Sequence, residues 1–130
     1  MAVATDNASV VREGYERFMA QDVEGVLALF SPELVWEIPG PQALAGEYRG
    51  REGAAEFFMK LPEYWDSIEV RPLEVLSEGE RVVVIGRFNL DRKGRTYDIP
   101  FVHVWTVQDG LATSFREYTD TALFERMLAE

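Results

Sequence analysis

The chain predicts an α+β fold, with a mostly antiparallel sheet covered on one side by helices. Three observations carry this. Apolar residues recur at helical spacing in the first half, long alternating segments fill the second, and the turn signals Glu78-Gly79-Glu80, Lys93-Gly94 and Asp109-Gly110 separate those segments. With 130 residues, 47% hydrophobic and 12% aromatic, the chain can bury one core. We read residues 1–130 as a single domain, with residues 1–8 flexible.

From Ser9, a candidate N-cap, the residues Val10, Val11, Tyr15, Phe18 and Met19 define a first helix. Asp22 opens a shorter one carrying Val23, Val26, Leu27 and Phe30, closed by Ser31-Pro32. Leu34 to Ile38 reads as a strand ending at Pro39-Gly40-Pro41, and a loop leads on to Gly50. Arg51 to Leu61 places Ala54, Phe57, Phe58 and Leu61 on one helical stripe, and Pro62 stops it. Strands follow at Ile68 to Leu76, Arg81 to Asp91, Thr96 to Gln108 and Leu111 to Tyr118, then a final helix from Thr121 to Ala129. In the strand from Arg81, Val82, Val84 and Phe88 face one way while Val83, Ile85, Arg87 and Asn89 face the other. Both faces are apolar in part, so one packs on helices around a pocket and the other is expected to meet a second copy, giving a homodimer.

Composition narrows the function. Against 23 acidic side chains stand 13 basic ones, a net charge of −10, which argues against nucleic acid or an anionic membrane as partner. The absence of cysteine removes thiol nucleophiles, disulfides and cysteine zinc sites, and a single histidine removes a His-rich metal site. No metal or cofactor is called for. The chain has no apolar run of membrane-spanning length, and its first residues lack a signal-peptide pattern, so the expected location is cytoplasmic.

One hairpin gathers the polar groups that stand out. Phe101, His103, Trp105 and Val107 share a face of one strand, and Phe115, Glu117 and Thr119 share a face of the next. Whether those faces coincide rests on the turn. A three-residue loop Gln108-Asp109-Gly110 pairs Val107 with Leu111, sets Phe115 opposite His103 and leaves Glu117 diagonal to it. A two-residue Asp-Gly turn moves the register by one and sends the two polar groups to opposite faces. Joint chemistry requires the first.

Several segments together carry a family resemblance. The helix pair, Val35-Trp36-Glu37-Ile38-Pro39, the stretch from Gly46-Glu47-Tyr48-Arg49-Gly50 to Phe58, Asp109-Gly110, and Arg116-Glu117-Tyr118-Thr119-Asp120 resemble the SnoaL-like polyketide cyclases and ketosteroid isomerase relatives. These belong to the nuclear transport factor 2-like superfamily. The resemblance spans about Val10 to Leu128. It implies a cone-shaped α+β barrel of cystatin-like type: a curved mixed or antiparallel sheet wraps the N-terminal helices, encloses an apolar cavity and commonly dimerises. It places His103 at the cyclases' pocket histidine and Glu117 at their catalytic acid. The steroid isomerase's base corresponds to Ile38, its oxyanion tyrosine to Gly14 or Tyr15, and its second donor to His103. In the related limonene epoxide hydrolase, an Arg-x-Asp and a later acid correspond to Arg87-Phe88-Asn89 and Glu117, with an amide replacing one carboxylate.

The residues support a chemistry of their own. Carboxylates in aromatic, water-poor pockets exchange protons more readily near neutral pH, which suits Glu117 as a general base. His103 is then expected to donate to the carbonyl oxygen where negative charge develops, supporting enolisation followed by isomerisation or aldol closure. Arg87, with Asn89, either anchors a substrate carboxylate or pairs with Glu117. The aromatic residues Tyr15, Phe18, Trp36, Phe57, Tyr64, Phe101 and Trp105 are the expected contacts for a small hydrophobic molecule. Each residue also has a plainer reading: His103 as a hydrogen-bonded core residue, Glu117 as the partner of Arg87 or Arg116, and the aromatics as core. Two functions stay open, a cofactor-independent isomerase or cyclase and a binding module without turnover, with an epoxide hydrolase as a third.

Overall fold

A computed structural model describes residues 6–129. Of the segment expected to be flexible, residues 1–5 lie outside the described residues, whereas Asn7 and Ala8 form the first turn of α1 (Asn7–Met19). Asp6, not Ser9, is the N-cap: its carboxylate accepts from the Ala8 N–H at 3.1 Å, which places negative charge at the helix's positive end. Asp22 caps α2 (Val23–Leu27), accepting from the Gly25 N–H at 2.9 Å. This helix is shorter than its apolar pattern predicts, because Phe30 already begins β1 (Phe30–Ile38). Pro32 falls where the β1 ladder is irregular, between the pairs Phe30–Ala112 and Val35–Ser114, so its missing N–H interrupts no regular pairing.

The expected loop before Gly50 contains an edge strand, β2 (Gly46–Arg49), paired antiparallel with Val35 to Ile38. With four residues and one buried side chain, Tyr48, it shows too short an alternation to read in advance. Helix α3 (Gly50–Tyr64) continues through Pro62; the ring forfeits one intrahelical bond in the last turn, and Trp65 N–H still reaches the Leu61 carbonyl at 2.9 Å. Strands β3 (Ser67–Glu78), β4 (Arg81–Arg92), β5 (Arg95–Gln108) and β6 (Leu111–Thr119) precede α4 (Thr121–Ala129). The six strands lie in the order β2-β1-β6-β5-β4-β3, antiparallel except for β1 beside β6, in a curved mixed sheet that does not close into a barrel.

The β5–β6 turn differs from the expected one. Asp109 (φ 52°) and Gly110 (φ 78°) form a two-residue turn that pairs Gln108 with Leu111, and both positive φ angles match the twist of a tight hairpin. By itself this turn would send Glu117 outward. A bulge restores the phase: Val107 pairs with Ala112 and Thr106 with Ser114, so Thr113 is skipped. The Thr113 hydroxyl donates to the Thr106 carbonyl at 3.4 Å, and the Ser114 hydroxyl to Thr106 Oγ1 at 2.8 Å. Beyond the bulge, Trp105 opposes Phe115 and His103 opposes Glu117 directly, two positions away from the expected register.

On β4, Val82, Val84, Phe88 and Leu90 are buried beneath the helices. Gly86 belongs to the same row and faces Phe101 on β5; a Cβ there would sit 2.5 Å from the Phe101 ring and 2.3 Å from the Arg71 carbonyl oxygen. The opposite face carries Val83, Ile85, Val102 and Val104, all half-buried, beside the exposed Leu76 and Tyr118.

Candidate functional site

Between the sheet's inner face and the helices lies a cavity of about 110 Å³. Helix α1 supplies Tyr15 and Phe18, α3 supplies Phe57 and Phe58, and β1 supplies Phe30 and Trp36. The β5–β6 hairpin contributes His103, Trp105, Phe115 and Glu117. This volume admits several waters or one compact organic molecule.

Within the aromatic wall the polar side chains form one ordered row. Trp105 Nε1–H donates to Tyr15 Oη at 3.0 Å, Tyr15 Oη lies 2.6 Å from His103 Nδ1, and His103 Nε2 lies 3.0 Å from Glu117 Oε1. An indole nitrogen can only donate, so the Tyr15 hydroxyl accepts from it and donates its own O–H to His103 Nδ1. That nitrogen is then unprotonated, and Nε2–H donates to the carboxylate. Burial pushes the His103 imidazole below its ordinary 6.5, against the opposing hydrogen bond and charge of Glu117. Burial also raises the Tyr15 hydroxyl well above 10.0; the Trp105 hydrogen bond opposes this and the Glu117 charge adds to it. At neutral pH the row therefore holds a neutral tyrosine and a neutral imidazole beside Glu117. His103 is 4% and Glu117 7% exposed.

The structure brings together most of the expected site residues. Tyr15, Phe18, Trp36, Phe57, Trp105, His103 and Glu117 line the cavity. Phe101 does not; it stacks behind His103, with ring centroids 3.9 Å apart and planes 17° apart, and braces the imidazole. Tyr64 also lies outside the lining: the helix ends there, and the next residue, Trp65, turns into the cavity in its place. Arg87 and Asn89 occupy the outer face of β4, one step out of phase with the buried row. Arg87 Nε donates to Asp98 Oδ1 at 2.6 Å, and Arg116 lies 3.4 Å from Glu37, so neither arginine reaches Glu117. His103 is not available to a ligand as expected, because both ring nitrogens are engaged by Tyr15 and Glu117. The sequence reading missed Phe30, Phe88, Phe115 and Phe124 as wall residues. Phe88 shares the row of Val82 and Val84, and Phe115 that of Glu117, so strand parity alone reaches both. Among the described residues no group of His, Cys, Asp and Glu is arranged to hold a metal, and no helix is long and apolar enough to cross a membrane.

A curved sheet folded over helices, with its hollow between them, is the cone-shaped α+β architecture of the nuclear transport factor 2-like and cystatin-like proteins. The chain belongs to the SnoaL-like domain family, whose model matches residues 11–115. A nuclear transport factor 2-like protein of unknown function from Burkholderia pseudomallei shares 33% identity, with 97% of this chain and 100% of that chain covered and a TM-score of 0.90. TerC, crystallised with polyporic acid, shares 31% identity over 95% of this chain and 98% of its own, with a TM-score of 0.89. An uncharacterised protein of Mycobacterium tuberculosis is 29% identical over 96% of this chain and 99% of its own length.

Proposed function

We propose that the protein is a cofactor-independent isomerase or cyclase that enolises a small hydrophobic carbonyl compound, with Glu117 as the base. The observation that carries this is the buried row ending on Glu117: one oxygen is fixed by His103, leaving Oε2 as the oxygen available to a guest. In the step proposed, Oε2 removes a proton from the carbon beside a carbonyl. The C–H pair becomes the enolate double bond as the carbonyl π pair moves to oxygen. Return of that proton to a different carbon isomerises the compound. Attack by the enolate carbon on a second carbonyl of the same molecule forms a C–C bond, and the resulting alkoxide takes the proton. His103, held by Tyr15 and Trp105, is a positioning residue.

The matching family and the solved relative TerC with polyporic acid support a guest molecule in this fold. A second reading, capture without turnover, draws on the mutual satisfaction of Tyr15, His103 and Trp105, which leaves them no polar group to spend on a reaction. Epoxide opening is set aside, since Arg87 and Asn89 point away from the cavity. The decisive experiment follows ring closure or double-bond migration in a panel of simple diketones and β-keto esters across pH. Glu117→Gln is expected to lower the rate by on the order of a hundredfold or more while binding persists. Binding without turnover in the wild type would favour capture instead.

The protein is further proposed to act as a cytoplasmic homodimer through the outer sheet face, where Leu76 is 56% and Tyr118 49% exposed beside Val83, Ile85, Val102 and Val104. Light scattering is expected to give twice the chain mass, and Val104→Glu to halve it. Cell fractionation tests the location.

A further inference from the structure

The cavity's polar groups divide into those already spent within the protein and those that are not. Tyr15, His103 and Trp105 satisfy one another, and the Gln42 amide is bonded to the Pro39 carbonyl and the Leu44 N–H. The Trp36 indole N–H differs. Trp36 lines the cavity and is 6% exposed, yet its Nε1 is the buried side-chain nitrogen or oxygen without a hydrogen-bond partner among the described residues. Buried donors left unpaired are rare and costly, so each calls for an explanation, a functional role among them.

Its position fits that role. Trp36 is the cross-strand partner of Phe115, on which its ring stacks with centroids 3.8 Å apart, and Glu117 lies two residues further along the same face of β6. In one wall, therefore, an indole N–H buried without a partner lies one diagonal step from the Glu117 side chain. We propose that Trp36 is the residue that recognises the ligand's oxygen, donating Nε1–H to a carbonyl whose neighbouring C–H faces Glu117. The ligand class follows from the rest of the wall. Among the described residues no lysine or arginine lines the cavity, so a carboxylate would meet the Glu117 charge without compensation. Rings from Phe57, Phe58, Phe30 and Trp105 surround Trp36. The guest is thus an uncharged aromatic or similarly flat carbonyl compound.

This inference rests on the proposed enolisation only for the role of Glu117, and its test separates the two. Acetophenone, ethylbenzene and benzoate are compared as probes for the wild type, Trp36→Phe and Glu117→Gln, with deuterium uptake at the acetophenone methyl followed in heavy water. The wild type is expected to prefer acetophenone over ethylbenzene by about fivefold, one neutral hydrogen bond, and to bind benzoate more weakly than either. In Trp36→Phe the preference collapses towards unity, whereas Glu117→Gln keeps it and loses deuterium uptake. In the wild type, acetophenone but not ethylbenzene moves the Trp36 indole N–H resonance, a readout independent of how any variant folds. A preference unchanged in Trp36→Phe, an unmoved resonance, or no preference in the wild type overturns the assignment, the first two being the result if the N–H is spent on a neighbouring ring face. Benzoate binding as tightly as acetophenone overturns the uncharged class. Collapse of the preference without deuterium uptake in the wild type upholds Trp36 and removes the enolisation.

Discussion

Two hairpins of the same sheet are closed by turns of the same kind, yet they use their strands differently. Lys93-Gly94 and Asp109-Gly110 both have positive φ at each central residue. From Lys93-Gly94 the β4–β5 ladder runs unbroken from Arg92–Arg95 to Arg81–Thr106, and its inner face on β4 alternates strictly through Val82, Val84, Gly86, Phe88 and Leu90. From Asp109-Gly110 the β5–β6 ladder skips Thr113, and its inner face reads Ala112, Phe115, Glu117. The turn therefore sets where pairing begins, but a single skipped residue decides which side chains face the cavity. The regular hairpin builds wall, and the bulged one delivers the carboxylate.

The sharpest way to break this contrast is to insert one alanine after Thr113. Phe115 and Glu117 then turn outward, and loss of the buried phenyl ring is expected to cost about 3–5 kcal/mol in chemical denaturation. In the regular hairpin, Gly86→Ala drives a methyl group against the Arg71 carbonyl and the Phe101 ring that braces His103. The expected loss is about 1–3 kcal/mol, seen as a lower denaturant midpoint at unchanged slope.

Tyr15→Phe leaves Trp105 Nε1 and His103 Nδ1 without their partner and is expected to cost about 1–2 kcal/mol. It also tests the pH profile. Because burial lowers His103 from 6.5, the unfolded chain binds a proton that the folded one refuses, so stability falls as pH drops below about 6.5. Because burial raises Tyr15 above 10.0, the unfolded chain releases a proton that the folded one keeps, so stability also falls as pH climbs past about 10. Denaturation across pH should show both losses in the wild type. In Tyr15→Phe the alkaline loss should shrink while the acid loss remains.

The smallest effect is expected from deleting Thr113. The ladder then becomes regular with the pairs Thr106–Ser114 and His103–Glu117 kept, so stability should move by less than about 1 kcal/mol and the acid limb should persist. Loss of the acid limb would show that the bulge does more than reset the phase.

Much of this was legible from residue patterns, and the exceptions have physical reasons. The common face of His103 and Glu117 was reached through a three-residue loop; a two-residue turn plus one skipped residue has the same parity, so the face came out right and the partner of His103 wrong. Thr113 and Ser114 are small, polar and half-buried, so no apolar step marked the bulge. Arg87 and Asn89 belong to the row containing Val83 and Ile85, and alternation alone does not say which of two apolar rows turns inward. Trp65 was hidden by Pro62, which the helix passes within its last turn. The unpaired nitrogen of Trp36 had no signature at all, since it follows from the three-dimensional positions of its neighbours.

The bond between Tyr15 and His103 joins residues 88 positions apart in the chain, and so ties the first helix to the middle of the sheet. Gly14, Tyr15 and Phe18 are themselves part of the enclosure. Any admission of a guest by swinging that helix away must snap this tether and release the imidazole from its orientation. With the helix displaced, His103 would keep only its bond to Glu117, and the imidazole would no longer be held from both sides.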